Sequence, residues 1–281
     1  MTPFDVATMR YFVSENALIE GLSVWYDENI ENIQAVCTDG FLNNGYWKNV
    51  DLTDQISSEG RSRSEKDLYR NLLDALQVNS EDSAIEIGCG HGRGAATVFR
   101  EYAPSELRAI DVLPVQIGRA QEKNEQLIAQ SNGKLSYVVG SAIDIPYSDN
   151  SFTKVYSVEA VQHVLELDRF AAEISRVCRR PARVGITAAF APSEEVTVED
   201  WFGPQGMGTG PCYAHTTKAL VDALAREGFT NFIEESIGEH VFYGFDVWLN
   251  QTGYNATGQH NWLDLYNDGL VDYRLIVADL C

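Results

Sequence analysis

Leu68, Leu72, Leu73 and Leu76 fall on one face of a helix, with the polar residues between them turned away. From there to residue 190 short apolar runs alternate with amphipathic stretches. Ala84–Ile87, Leu107–Val112, Leu135–Val139, Thr153–Val158 and Arg183–Phe190 have the length and bounding turn residues of buried strands. Ala95–Tyr102, closed by Pro104, Gln116–Gln130 and a stretch from about Asp168 to Cys178 read as helices between them. Strands that alternate with helices pair in parallel through right-handed crossovers. Two later runs, Asn231–Ser236 and Val271–Ala278, complete a predicted α/β fold. It is a Rossmann-like, doubly wound, mostly parallel seven-stranded sheet with an N-terminal helical lid and a C-terminal cap insertion.

The flanks differ from this core. Residues 1–66 are helical in pattern and rich in aromatics, with Tyr11, Phe12, Trp25, Tyr26, Phe41, Tyr46 and Trp47. They end in a polar stretch, Ser57–Ser64, that predicts a surface loop or hinge. After residue 190, Pro204–Pro211 predicts a loop, and Thr216–Glu227 a helix ended by Gly228. Phe242–Tyr266 is aromatic and Asn/Gly-rich, and is expected to cap a pocket. The predicted organisation is a lid over 1–66, a cofactor-binding core over 67–190, and a substrate cap with the last strands over 191–281.

Composition narrows the function. A net charge of −20, from 21 basic and 41 acidic side chains in 281 residues, repels phosphate backbones and anionic lipid headgroups. Nucleic acid and membrane partners are therefore not expected, and a small-molecule acceptor is. The five cysteines are odd in number and none forms a C-x-x-C pair, which predicts free thiols in a reducing cytoplasm. Met1–Ser14 lacks the charged-then-apolar layout of a signal peptide. His215, His240 and His260 are too scattered to predict a metal site, and His91 reads as a loop residue.

The segment with most chemical content is Ala84-Ile-Glu-Ile-Gly-Cys-Gly-His-Gly-Arg-Gly94, a strand running through glycines into a helix. In an open α/β sheet such a turn is where a nucleotide-like ligand meets the strand ends, and glycine lets it approach the backbone. Two cofactors fit. Gly90, Gly92 and Ala95 satisfy the dinucleotide fingerprint, and Asp111 lies at the spacing that fingerprint expects, so NAD is one. Glu86, two residues before Gly88, favours S-adenosylmethionine instead, because its carboxylate suits an ammonium group and repels a pyrophosphate.

Gly140-Ser-Ala-Ile-Asp-Ile-Pro-Tyr-Ser-Asp-Asn-Ser-Phe152 follows the third strand, and Val158-Glu-Ala-Val-Gln-His-Val164 the fourth. With Asn43-Asn-Gly-Tyr-Trp47 these motifs resemble the class I S-adenosylmethionine-dependent methyltransferases, close to those acting on sugars, quinones and natural products. The resemblance covers roughly residues 40–190. It implies that Glu86, Gly88 and Gly90 hold the methionine end of the cofactor, Asp111 the ribose hydroxyls, and Val112, with Ser141 and Ala142, the adenine. Ser141 stands where the family usually has aspartate. Glu159 would lie beside the sulfonium through its backbone carbonyl, and Tyr46 with Trp47 would close over the site.

His163 is the candidate catalytic residue, since histidine titrates near neutrality and can take the proton of a hydroxyl or amine acceptor. Trp201, Phe202, Phe242, Tyr243, Phe245, Trp248 and Trp262 are candidates for an aromatic acceptor pocket or for plain core packing. The expected activity is methyl transfer to a small apolar or aromatic metabolite at O, N or C. The alternative is an adenosylmethionine-binding fold that catalyses another reaction, such as a cyclisation.

Overall fold

The structure is a computed structural model, and it describes residues 14–29, 36–202, 212–253 and 262–281. The Pro204–Pro211 loop, Tyr11, Phe12, His260 and most of Met1–Ser14 lie outside the described residues.

Seven strands form one sheet in the order β3-β2-β1-β4-β5-β7-β6. They are β1 (Ser83–Ile87), β2 (Glu106–Asp111), β3 (Leu135–Val139), β4 (Phe152–Val158), β5 (Cys178–Phe190), β6 (Thr230–Ser236) and β7 (Asp272–Leu280). The first five run parallel, and β7 enters antiparallel between β5 and β6. Each inner strand is apolar because both faces are covered: β1 is buried at every position, and β4 at all but one.

The helices are α1 (Glu15–Glu28), α2 (Ser58–Leu76), α3 (Arg93–Glu101), α4 (Pro114–Lys123), α5 (Glu125–Gln130), α6 (Leu167–Val177), α7 (Val198–Phe202), α8 (Thr217–Arg226), α9 (Gly238–Thr252) and α10 (Trp262–Asn267). The hydrophobic core splits across the sheet. α2 packs Leu68, Leu72, Leu73 and Leu76 against one face, and α6 and α8 pack Phe170, Ile174, Leu220 and Leu224 against the other. No helix among the described residues is long and apolar enough to cross a membrane. The five cysteines are free thiols.

Three expectations are corrected. Ser57–Ser64 is no hinge: Ser57 caps α2 through its Oγ, and the helix runs across the expected boundary at residues 66/67. Its polar residues are there because they serve a buried network. Arg61, fully buried, donates to the carbonyls of Val36, Asn43 and Asn44 and pairs with the equally buried Glu65 at 3.2 Å. Gln116–Gln130 is two helices, broken at Asn124, whose side-chain amide donates to Ala120 O at 2.9 Å.

The third correction concerns the expected aromatic cap. Phe242 packs against Trp262, Tyr266 and Tyr273 over β7, and Trp201 and Phe202 join edge-on at Trp262. Phe245 lies against Arg61, and Trp248 donates to Val36 O. Tyr243 is exposed. Core packing, not an acceptor pocket, accounts for the buried members of this group.

Candidate active site

A cleft opens at the carboxyl ends of β4, β1, β2 and β3. It encloses about 1100 Å³ including its open mouth. The glycine loop forms its floor. Gly88 and Gly90 have φ of 79° and 50°, and a Cβ on Gly88 would stand 2.2 Å from Cβ of Ala160. Only glycine fits there, and the bare backbone borders the cleft.

Asp111 ends β2 and lines the cleft. Its Oδ2 accepts from the Gly90 N–H at 2.9 Å and its Oδ1 from the Leu113 N–H at 3.0 Å. The same carboxylate thus pins the glycine loop and keeps a further lone pair on each oxygen for two hydroxyl donors. Burial raises its pKa to about 6, against the pull of those two N–H groups. Val112 and Leu113 follow with apolar surface. Beyond β3, Gly140, Ser141, Ala142 and Ile143 line the next part of the cleft.

Glu159 closes β4 with φ of 51°, an unusual conformation for a residue with a side chain. The sequence assigns its backbone carbonyl to the site, but that oxygen accepts from Gln162 Nε2 at 2.8 Å. The carboxylate is the better-equipped group. Its Oε1 accepts from the Asn44 N–H at 2.8 Å and from the Tyr273 hydroxyl at 2.6 Å. Burial lifts its pKa to about 7 despite those bonds. It exchanges its proton near neutral pH. His163 follows one turn later, in the 3₁₀ turn Val161–His163, and lines the same cleft. His91 lines it too, nearly buried, and burial with the nearby Lys123 and Arg119 lowers its pKa to about 4, so it is neutral.

Two expected cofactor residues are not in the cleft lining. Glu86 is fully buried behind β1, where its carboxyl takes hydrogen bonds from the hydroxyls of Tyr69 at 2.8 Å and Tyr156 at 3.3 Å. Burial raises its pKa to about 8 against the pull of those hydroxyls, so without a cation beside it the carboxyl is mostly protonated at neutral pH. Alternation along β1 turns its side chain toward α2 rather than the strand ends. Tyr46 packs edge-on against His240 at 5.3 Å, and Trp47 sits beneath Gly244 with 2 % exposure. Both anchor the segment that presents Asn44 to Glu159.

The roof is α1 instead. Glu15, Leu18, Ile19, Leu22 and Tyr26 line the cleft. They lie at i, i+3, i+4, i+7 and i+11, a single helical stripe legible in the sequence but not singled out there. Leu18 and Leu22 pack on Leu113. Asn44 lies inside the Asn43–Trp47 motif, but neither its contact with Glu159 nor that of Tyr273, far off in the chain, carried a comparable signal.

These residues suit an elongated nucleoside ligand: a bare-backbone floor, a carboxylate for a ribose, apolar walls, and a carboxyl and an imidazole at the far end. Residues 85–184 match a family model described as a methyltransferase domain. The chain is 24% identical to Methyltransferase GfsG of Streptomyces halstedii over 270 residues, 90% of this chain and 92% of that one. Other curated relatives match over about half of their own length. Among solved structures, geranyl diphosphate C-methyltransferase from Streptomyces coelicolor A3(2), in complex with Mg2+, geranyl diphosphate and S-adenosyl-L-homocysteine, aligns with a TM-score of 0.72 and 16% identity, covering 94% of this chain and 98% of that one. The [4+2]-cyclase SpnF aligns with a TM-score of 0.69 and 18% identity, over 92% and 94%.

The seven-stranded sheet with its strand-end cleft is a Rossmann-like α/β fold. The chain carries a methyltransferase domain over residues 85–184 and is an S-adenosylmethionine-dependent methyltransferase.

Proposed function

We propose that the protein methylates a small, largely apolar or aromatic metabolite bound beside Glu159 and His163, under the helix α1. The observation that carries this reading is the sharing of one cleft by the glycine loop, Asp111, Glu159, His163 and the apolar stripe of α1. When bound, the cofactor supplies an activated methyl group on sulfur. Gly88 and Gly90 give its methionine end access to backbone, and Asp111 receives the ribose hydroxyls. Val112 and Leu113 flank the base.

The chain's own part in the reaction is alignment, exclusion of water and removal of a proton. Leu18, Ile19 and Leu22 cover the cleft and keep it dry, which favours transfer over hydrolysis. With a hydroxyl acceptor, His163 takes the hydroxyl proton as the acceptor oxygen bonds to the methyl carbon and the carbon–sulfur bond breaks. Glu159, with its pKa near 7, is a second proton acceptor at the same end. Its position also suits a cation beside it once it is ionised.

His163→Ala should lower turnover of a hydroxyl acceptor by about 10²–10⁴ with little change in cofactor affinity. A loss below about fivefold removes His163 as the base. Glu159→Gln, measured in the same assay, then tests the carboxyl in that role. The likeness to the [4+2]-cyclase SpnF favours a second reading, in which the cofactor-bound cleft closes a ring without transferring methyl. Methyl-labelled cofactor separates the two, because a cyclised product carries no label.

A further inference from the structure

We infer that Glu15 of the roofing helix is the acceptor for the exocyclic amine of the cofactor's adenine ring, so that α1 selects the base. The inference rests on the cofactor reading above. In the sheet the order β4, β1, β2, β3 sets the order of groups along the cleft: Glu159 and His163, the glycine loop, Asp111, then Gly140–Ile143. A ligand with its reacting end at Glu159 and its ribose at Asp111 has its base over the loop that follows β3.

That end of the cleft is a slot. Leu18 and Leu22 pack with Leu113 there, Ile19 and Val112 lie against them, and together they line it with apolar surface. The polar side chains lining its edge are Ser141 and Glu15. Ser141 Oγ donates to the Glu15 carboxylate and accepts from the Ile143 N–H at 3.1 Å. The serine proton is therefore spent on Glu15, and the charged acceptor at the slot's edge is the glutamate. It comes from a residue 126 positions earlier in the chain, which is why position 141 can be serine and still stand beside a carboxylate.

A carboxylate beside an apolar slot takes a donor and repels a carbonyl oxygen. It therefore suits the amine of adenine and opposes the oxygen that hypoxanthine carries at the same position. A polar site of this kind discriminates strongly, because the wrong partner leaves it unpaired.

The test is calorimetric titration with S-adenosylhomocysteine and with S-inosylhomocysteine, which differ at that position of the base. The wild-type protein should bind the adenosyl compound tenfold or more tightly than the inosyl one. Glu15→Ala and Glu15→Gln should bring the ratio close to one. The glutamine variant keeps the size of the side chain, so a lost ratio there reports chemistry rather than a displaced helix. An undiminished ratio in both variants, whatever happens to the absolute affinities, overturns the role of Glu15. If the wild-type protein binds neither compound, the cofactor reading fails, and this inference with it.

Discussion

Replacing Asp111 by asparagine tests the centre of the cleft with little change in shape. The carboxylate already holds Gly90 N–H and Leu113 N–H at 2.9 and 3.0 Å, and it lines the cleft. Asparagine keeps one oxygen acceptor and turns an NH₂ toward the other backbone donor. The loss of charged hydrogen bonding costs about 1.5–3 kcal/mol, which is roughly tenfold to a hundredfold in dissociation constant. A second signature comes from pH. In the ligand-free protein the Asp111 pKa lies at about 6, raised from 3.8 by burial. The carboxyl is mostly ionised at pH 7 and mostly protonated at pH 5. If only the ionised form accepts both ribose hydroxyls, the dissociation constant rises about tenfold from pH 7 to pH 5. Calorimetric titration with S-adenosylhomocysteine, which lacks the sulfonium charge, keeps Glu159 from dominating the profile. The variant should bind weakly and show a flat profile across that range. A variant that binds as tightly as the wild type, or keeps the same pH slope, refutes Asp111 as the ribose ligand.

Two further outcomes concern stability. Glu86 keeps its proton in the fold up to about pH 8, while an ordinary glutamate loses it near 4.5, so its contribution is complete below pH 4.5 and is lost as pH rises toward 8. By pH 7 the cost is roughly 3 kcal/mol, and urea unfolding of Glu86→Gln without ligand should show a decline between pH 5 and pH 8 smaller by up to that amount; an equal decline contradicts the assignment. Gly244→Ala sets a Cβ 2.2 Å from Cγ of Trp47 and should lower the melting temperature by several degrees, from about 1–3 kcal/mol of overpacking, with an unchanged temperature as the contrary result.

The parallel half of the sheet was legible because its strands are short apolar runs cut by glycines and prolines. Leu135–Val139 has the predicted ends, and β1, β2 and β4 differ from expectation by a residue at one or both ends. The glycine loop and Asp111 were legible for the same local reason: their chemistry is written within one turn of a strand. What sequence misread was polar burial. Ser57–Ser64 looks like solvent-facing chain, yet Arg61 and Glu65 are buried because each satisfies the other and several backbone carbonyls. Glu86 looks like a charged ligand group, yet burial raises its pKa to about 8 against the pull of two tyrosine hydroxyls that donate to it. The aromatic run after Phe242 predicts a cap, but it packs over β7 and against Trp47 because those surfaces are apolar too. Asn44 and Tyr273 meet at Glu159 only through tertiary packing, so no local spacing announces that contact.

The most direct measurement is titration of the wild-type protein with S-adenosylmethionine and, in parallel, with NAD, both by calorimetry at pH 7. Both cofactors are compatible with the glycine loop, and one of them matches the acidic far end formed by Glu159. Saturable binding of S-adenosylmethionine, weakened tenfold or more in Asp111→Asn and with no heat from NAD, is the predicted result. Tight binding of NAD with none of S-adenosylmethionine would contradict the account.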